Sequence, residues 1–183
     1  AASFTMELIM NGAGVTSMAE AMFFNDGNTL RQVLGDALYR ETLQTLGLLD
    51  APATGGINHM KPWAVMMTLT DPRPGGGLFL DMALQLRATR QDKATYGLES
   101  MQEQIEVFNG MSLDDQVVLL RDALQSHRLV GGVMEELTRI YLRRDLNGLV
   151  KLSEKYRPAD TRVHQAMMDR LLTQRNRNMA ARL

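Results

Sequence analysis

The amino-acid sequence predicts a helix-rich α/β fold with a small, partly parallel sheet. Two stretches suit β-strands, near residues 3–10 and 94–99, because both carry β-branched and aromatic residues over strand length. About 80 residues that read mostly as helix separate them, and the chain after residue 99 is helical almost to its end. Strands joined by so long a crossover are expected to run parallel.

The first strand is predicted to end at Asn11-Gly12, a turn signal. A large helical insertion follows, in which glycine- and proline-rich turns separate five helices. These helices are predicted over residues 15–24, 29–34, 36–46, 61–69 and 78–89. The turns between them lie at residues 26–28, 51–56 and 71–77.

The second strand is predicted to lead directly into a helix. Ser100 and Glu103 match the capping box, in which a serine oxygen and a carboxylate three residues later bind each other's free backbone N–H groups. Ser112 begins a second such pattern. The C-terminal helices are then expected over residues 130–143, 146–156 and 161–182.

A parallel sheet of only two strands is expected to be incomplete. Parallel strands occur almost only in larger sheets that helices cover on both faces. We therefore expect this chain to be the middle of a longer domain, or its sheet to be completed by strands of a partner chain. That partner could be a second copy of the same chain in a homo-oligomer.

Composition predicts one globular domain over residues 1–183, and it argues against several classes of protein. The net charge of −1 gives no overall field that favours nucleic acid, so no nucleic-acid partner is expected. The absence of cysteine excludes disulfides, thiol nucleophiles and cysteine-ligated zinc. No apolar run approaches the roughly 20 residues that a spanning helix needs, so no transmembrane segment is expected.

Two carboxylates are candidates for a site. Glu103 has a role as a helix cap, whereas Glu99 stands at the carboxyl end of the second strand without one. Open α/β sheets bind their ligands in the crevice outside these strand ends. Glu7, near the end of the first strand, is placed similarly.

Arg175 is the unusual residue of the last helix. At about 100° per residue it lies on the apolar face with Val163, Met167 and Leu171. A buried guanidinium needs a carboxylate partner, and Glu99 and Glu7 are the candidates. Two plainer interpretations stay open: Arg175 reaches solvent over its apolar neighbours, or it forms a purely structural ion pair with Glu99.

Two histidines are interpreted structurally. His164 lies alone on an apolar helix face, where a histidine is usually a core residue with a satisfied partner. His127 lies at a predicted helix end, where it can interact favourably with the helix dipole.

Several motifs in order along the chain resemble the TraB/GumN family, which includes the Tiki proteins. The chain is similar to this family over nearly its whole length. The motifs are Asp26-Gly27 to Leu30, Lys61-Pro62-Trp63, Leu80 to Ala88, Gly97 to Gln104, Asp115 to Leu120 and Arg175-Asn176.

The resemblance implies a metal-dependent, peptidase-like hydrolase with Glu99, Glu7 and Arg175 as catalytic residues. Glu99 and Glu7 would be metal ligands, and manganese, cobalt or zinc would bind in the full-length parent. The family's flanking Gly-x-x-His motifs are missing here, so the resemblance implies a domain truncated at both ends that lacks the histidine ligands. Neither a bound metal nor hydrolytic activity is then expected of this chain alone.

Gly56 to His59 formally satisfies Gly-x-x-His, but no strand precedes it and the pattern arises easily by chance, so His59 is not expected to be a ligand. The resemblance to bacterial members implies an exported or envelope-associated protein with a peptide or small-molecule substrate. The alternative is a non-catalytic domain that binds a peptide or a cell-envelope component, because a fold does not fix a function.

Overall fold

The computed structural model describes residues 4–8, 12–49, 54–70, 80–157 and 161–183. In chain order these contain β1 (Phe4–Leu8), α1 (Gly12–Ala21), α2 (Leu30–Thr45), α3 (Thr54–Asn58), α4 (Pro62–Thr70), α5 (Leu80–Arg90), β2 (Thr95–Glu99), α6 (Met101–Asn109), α7 (Leu113–Ser126), α8 (Val130–Leu142), α9 (Leu146–Lys155), α10 (Thr161–Met168) and α11 (Arg175–Arg182). A 3₁₀ turn, His127–Leu129, joins α7 to α8, and a π-helical segment, Asp169–Gln174, joins α10 to α11.

The chain divides into two compact units. Unit 1 comprises Ala1–Phe23, Gly75–Ser112 and Gln165–Leu183, and unit 2 comprises Phe24–Pro74 and Leu113–His164. The prediction of a single domain is not tested by this division and stays a prediction. No helix among the described residues combines the length and the apolarity that crossing a membrane requires.

Unit 1 contains the paired strands. β1 and β2 are parallel, with Phe4 opposite Thr95 and Leu8 opposite Glu99. The predicted parallel pairing is therefore confirmed, as is the helix-rich composition. In the described part of the chain the sheet consists of these two five-residue strands, so the larger α/β class is not confirmed.

Helices α5, α6 and α11 position the carboxyl end of β2. α5 contacts both strands and α11 contacts β2. Ser100 caps α6 through the predicted capping box: its hydroxyl accepts from the Glu103 amide, and the Glu103 carboxylate accepts from the Ser100 amide. Because Ser100 directly follows β2, the chain passes from strand to helix without a loop.

Unit 2 is helical around an apolar core. Packing of α7 against α2 and α4 buries one contiguous cluster. It consists of Leu30, Leu38, Val65, Leu69, Leu120 and Leu124. Trp63, the only tryptophan of the chain, is also fully buried in this unit.

Two features of the helices can be compared with the sequence prediction. Gly35 has φ 74° and ψ 162° inside α2, a conformation that glycine adopts readily and other residues do not. The two helices predicted on either side of residue 35 thus meet at this kink. The turn predicted over residues 51–56 was wrong in part, because α3 begins at Thr54 despite two glycines.

Candidate functional site

Glu99 ends β2 as a buried carboxylate. Its side chain is 2% exposed, although glutamate is almost never fully buried without a partner. The alternation of strand side chains turns Glu99 to one face of the sheet, and Ser100, the N-cap of α6, fixes the backbone directly after it.

The partner is Arg175. Its Nε donates to Glu99 Oε1 at 2.8 Å and its Nη2 donates to Glu99 Oε2 at 2.6 Å. Its Nη1 donates to the carbonyl oxygen of Leu171 at 3.1 Å, and the side chain is only 15% exposed. The predicted convergence of Glu99 and Arg175 is therefore confirmed, and the interpretation of Arg175 as a solvent-reaching side chain was wrong.

The π-helical segment sets the direction of Arg175. It covers the six residues immediately before Arg175, and a π turn holds more residues than an α turn, so it changes the phase of everything after it. The helix predicted over residues 161–182 is confirmed as unbroken, with this π segment inside it. π turns occur frequently at functional sites.

Both oxygens of Glu99 accept hydrogen bonds. Besides Arg175, the side-chain amide of Gln104 donates to Oε2 at 3.3 Å. Burial alone would raise the pKa of Glu99, but the hydrogen bonds from Arg175 and Gln104 and the Arg175 charge outweigh it and lower the pKa. Glu99 is thus ionised, and its two oxygens accept three hydrogen bonds.

A second pair lies beside the first and was missed in the sequence. Arg182 donates from Nη2 to Glu103 Oε1 at 2.6 Å and from Nη1 to Glu103 Oε2 at 3.0 Å. The same Nη1 donates to the carbonyl oxygen of Leu98 at 2.6 Å. The spacing of the arginines was the available signal: Arg182 is seven residues after Arg175, so both lie on one face of α11.

The Glu103–Arg182 pair predicts a pH dependence of stability. Hydrogen bonds from Arg182, then from the Ser100 amide, lower the pKa of Glu103 from 4.5 to about 2. A carboxyl whose pKa is lower in the folded state stabilises that state fully above its unfolded pKa and loses the effect as the pH falls. We therefore expect the urea concentration at which half of the protein is unfolded to decrease as the pH is lowered from 4.5 to about 2.

The variant Glu103→Gln isolates this contribution, because glutamine can still complete a capping box but does not titrate. Its midpoint should fall less steeply than the wild-type midpoint over the same pH range. Identical slopes for the two proteins would contradict the assignment.

A small pocket of about 190 Å³ opens beside the two ion pairs. It is lined by Glu99, Glu103, Glu106, Val107, Arg170, Gln174, Arg175 and Asn178. Gly110 leaves space for two side chains that line the pocket, those of Arg170 and Glu106. A Cβ at residue 110 would lie 2.5 Å from Arg170 Nη1 and 2.8 Å from Glu106 Oε1. The pocket therefore has carboxylates on one side and guanidinium groups on the other.

The remaining predicted residues lie elsewhere or outside the described side chains. Glu7 lies in β1, but its side chain is outside the described part, so its role stays a prediction. His164 Nε2 lies 3.7 Å from Asp122 Oδ2, and His127 Nδ1 lies 3.0 Å from the carbonyl oxygen of Leu69; both belong to unit 2. The exposed His59 follows α3, not a strand.

The described side chains do not fit a divalent metal. No group of three or more histidine, aspartate or glutamate residues gathers among them as ligands. In the candidate site three N–H groups already donate to the Glu99 carboxylate, and the Arg175 charge beside it disfavours a cation there.

Comparison with known proteins gives one finding. No curated protein and no solved structure matches the chain. The model of the TraB/PrgY/gumN family matches residues 4–183, which includes both units and every residue of the pocket. The chain therefore belongs to the TraB/PrgY/gumN family.

Proposed function

We propose that the pocket beside Glu99 and Arg175 is the substrate-binding part of a hydrolytic site for a peptide-like carbonyl compound. The observation that carries the proposal is the two-point hydrogen bond between a buried carboxylate and a nearly buried guanidinium at the wall of a pocket. Ligands of sheets bind outside the carboxyl ends of parallel strands, which is where this pair lies.

Arg175 is the oxygen-binding group in this proposal. A guanidinium stays charged at all accessible pH values and has five N–H donors in a rigid fork. Glu99 takes two of them, and charged N–H donors of this kind stabilise a carboxylate or a developing oxyanion. Glu99 acts as a positioning residue: two hydrogen bonds fix the plane of the guanidinium. A lowered pKa and the three hydrogen bonds that it accepts make Glu99 a poor general base.

No step in the proposal passes through a metal ion. The donor set of the described residues does not fit one, and we expect the 183-residue chain to bind manganese, cobalt and zinc weakly. The hydrolytic role rests on the family resemblance and on the pocket, with an exported or envelope location as part of the same proposal.

A second candidate function is binding without chemistry, for a peptide or an envelope component. The specific observation in its favour is that the carboxylates of Glu99 and Glu103 are both committed to arginines. Carboxylates fixed in ion pairs, as those of Glu99 and Glu103 are, help to recognise polar groups but move no proton.

Binding of a short peptide tests the proposal. We expect acetyl-trialanine to shift the Nε–H resonance of Arg175 in an NMR titration, because its oxygens would approach the guanidinium. The variant Arg175→Lys should weaken binding at least tenfold, since lysine lacks the fork. Arg182→Lys is the matched control: it alters a similar pair in the same helix and should weaken binding far less.

The outcomes separate the two functions. Cleaved peptide, detected by mass spectrometry, supports hydrolysis, whereas binding without products supports the second candidate. No change of the Arg175 resonance at millimolar peptide would refute both.

A further inference from the structure

Helix α8 in unit 2 packs along one side against α9. That side faces α9: a Cβ on Gly148 would lie 2.9 Å from Ile140 Cγ2, and Lys155 Nζ lies 3.5 Å from Glu136 Oε2. No residue of α8 is buried. The helix therefore keeps a second, exposed side.

The exposed side turns away from α9. Residues spaced three and four apart line a single shallow depression of about 680 Å³ along it. We call this side the outer face of α8, and it is formed by Met134, Glu135, Thr138, Arg139, Leu142 and Arg143. Leu142 is 74% exposed and also borders a second depression with Tyr141, which is 68% exposed. Two large apolar side chains thus meet water at one end of the helix.

The charges on the outer face are arranged by sign along the helix. Glu135 lies in the N-terminal half, whereas Arg139 and Arg143 lie in the C-terminal half or just after it. None of the three side chains forms a hydrogen bond or ion pair within the described chain. Two copies of this face therefore place acid opposite base when the two helices run antiparallel.

We propose that the outer face of α8 binds the same face of a second copy of this chain, with the two helices antiparallel and crossing near Thr138. In that arrangement Glu135 of each copy lies beside Arg139 and Arg143 of the other. Met134 of each copy meets Leu142 of the other, so the exposed apolar side chains are covered.

The charge pattern selects a second copy as the partner. A two-fold interface uses one patch twice, so each acid must find a base on an identical surface. The outer face satisfies that condition in the antiparallel orientation, whereas a parallel pair would place like charges together. Like charges in contact disfavour association and set the orientation of helix pairs.

Sedimentation velocity over a concentration series tests the proposal with the full 183-residue chain. The wild-type protein should show a monomer–dimer equilibrium. Glu135→Arg should raise the dissociation constant at least tenfold, because three positive side chains would then meet. The double variant Arg139→Glu with Arg143→Glu should do the same with three negative ones.

Mixing the two variants gives the decisive result. In the mixed pair every contact again joins opposite charges, so an equimolar mixture should form a heterodimer although neither variant forms a homodimer. Glu154→Arg, a charge reversal on α9 away from the outer face, should leave the wild-type equilibrium unchanged. A monomeric wild type, dimers that persist in both variants, or a mixture that stays monomeric would each overturn the proposal.

Discussion

Replacing Glu99 with glutamine is expected to lower the free energy of unfolding by about 3–5 kcal/mol, the cost of leaving a buried ion without its partner. The pair is well shielded, since the Glu99 side chain is 2% exposed and that of Arg175 15%. The neutral amide still accepts one hydrogen bond, but it cannot balance the guanidinium charge. Urea unfolding followed by circular dichroism measures the loss.

Two further variants locate the cause of this effect. Glu103→Gln alters the neighbouring pair, whose side chains are 35% and 44% exposed, and should cost at most about 1 kcal/mol. Glu99→Leu combined with Arg175→Met removes both charges and should recover much of the stability that Glu99→Gln loses. A double variant less stable than Glu99→Gln would show that the loss does not come from an uncompensated charge.

Replacing Leu120 with alanine is expected to destabilise unit 2 by about 2–5 kcal/mol. Leu120 is 0% exposed and belongs to the central apolar cluster, so its truncation removes contacts and leaves a cavity. Trp63 is the only tryptophan and lies in the same unit. Its fluorescence during urea unfolding therefore reports this unit specifically.

The control for the core substitution is Leu80→Ala. Leu80 is 72% exposed, and substitutions at such positions usually change stability by less than about 0.5 kcal/mol. A Trp63 midpoint that shifts equally in both variants would contradict the placement of Leu120 in the core.

Local chemistry made much of the fold predictable. The capping box at Ser100 and the break at Gly35 depend on a few neighbouring residues, so the sequence carries them directly. The position of Glu99 followed from the same signals, since a strand that runs straight into a capped helix leaves its last side chain at the sheet edge. Helix α3 was missed because its two glycines favour a turn by propensity alone.

The pairing of charges was only partly predictable. Arg175 was found because a charged residue on an apolar face requires a partner, and that requirement is visible in the sequence. The π segment before it was not predicted, because π-helices are rare and nothing in the residue pattern set this one apart from an α-helix. Arg182 was missed, although its spacing of seven residues from Arg175 places both on one helix face.

The π-helical segment ties the two ion pairs together. Arg175 and Arg182 follow it on one uninterrupted α-helix. The number of residues in the π segment therefore sets the position of both guanidinium groups around the helix axis. Amino-acid identity within the segment is therefore freer to vary than its length. Removing a single residue there would swing both arginines around the helix axis by about 100°, and both carboxylates would lose their counterions in one step.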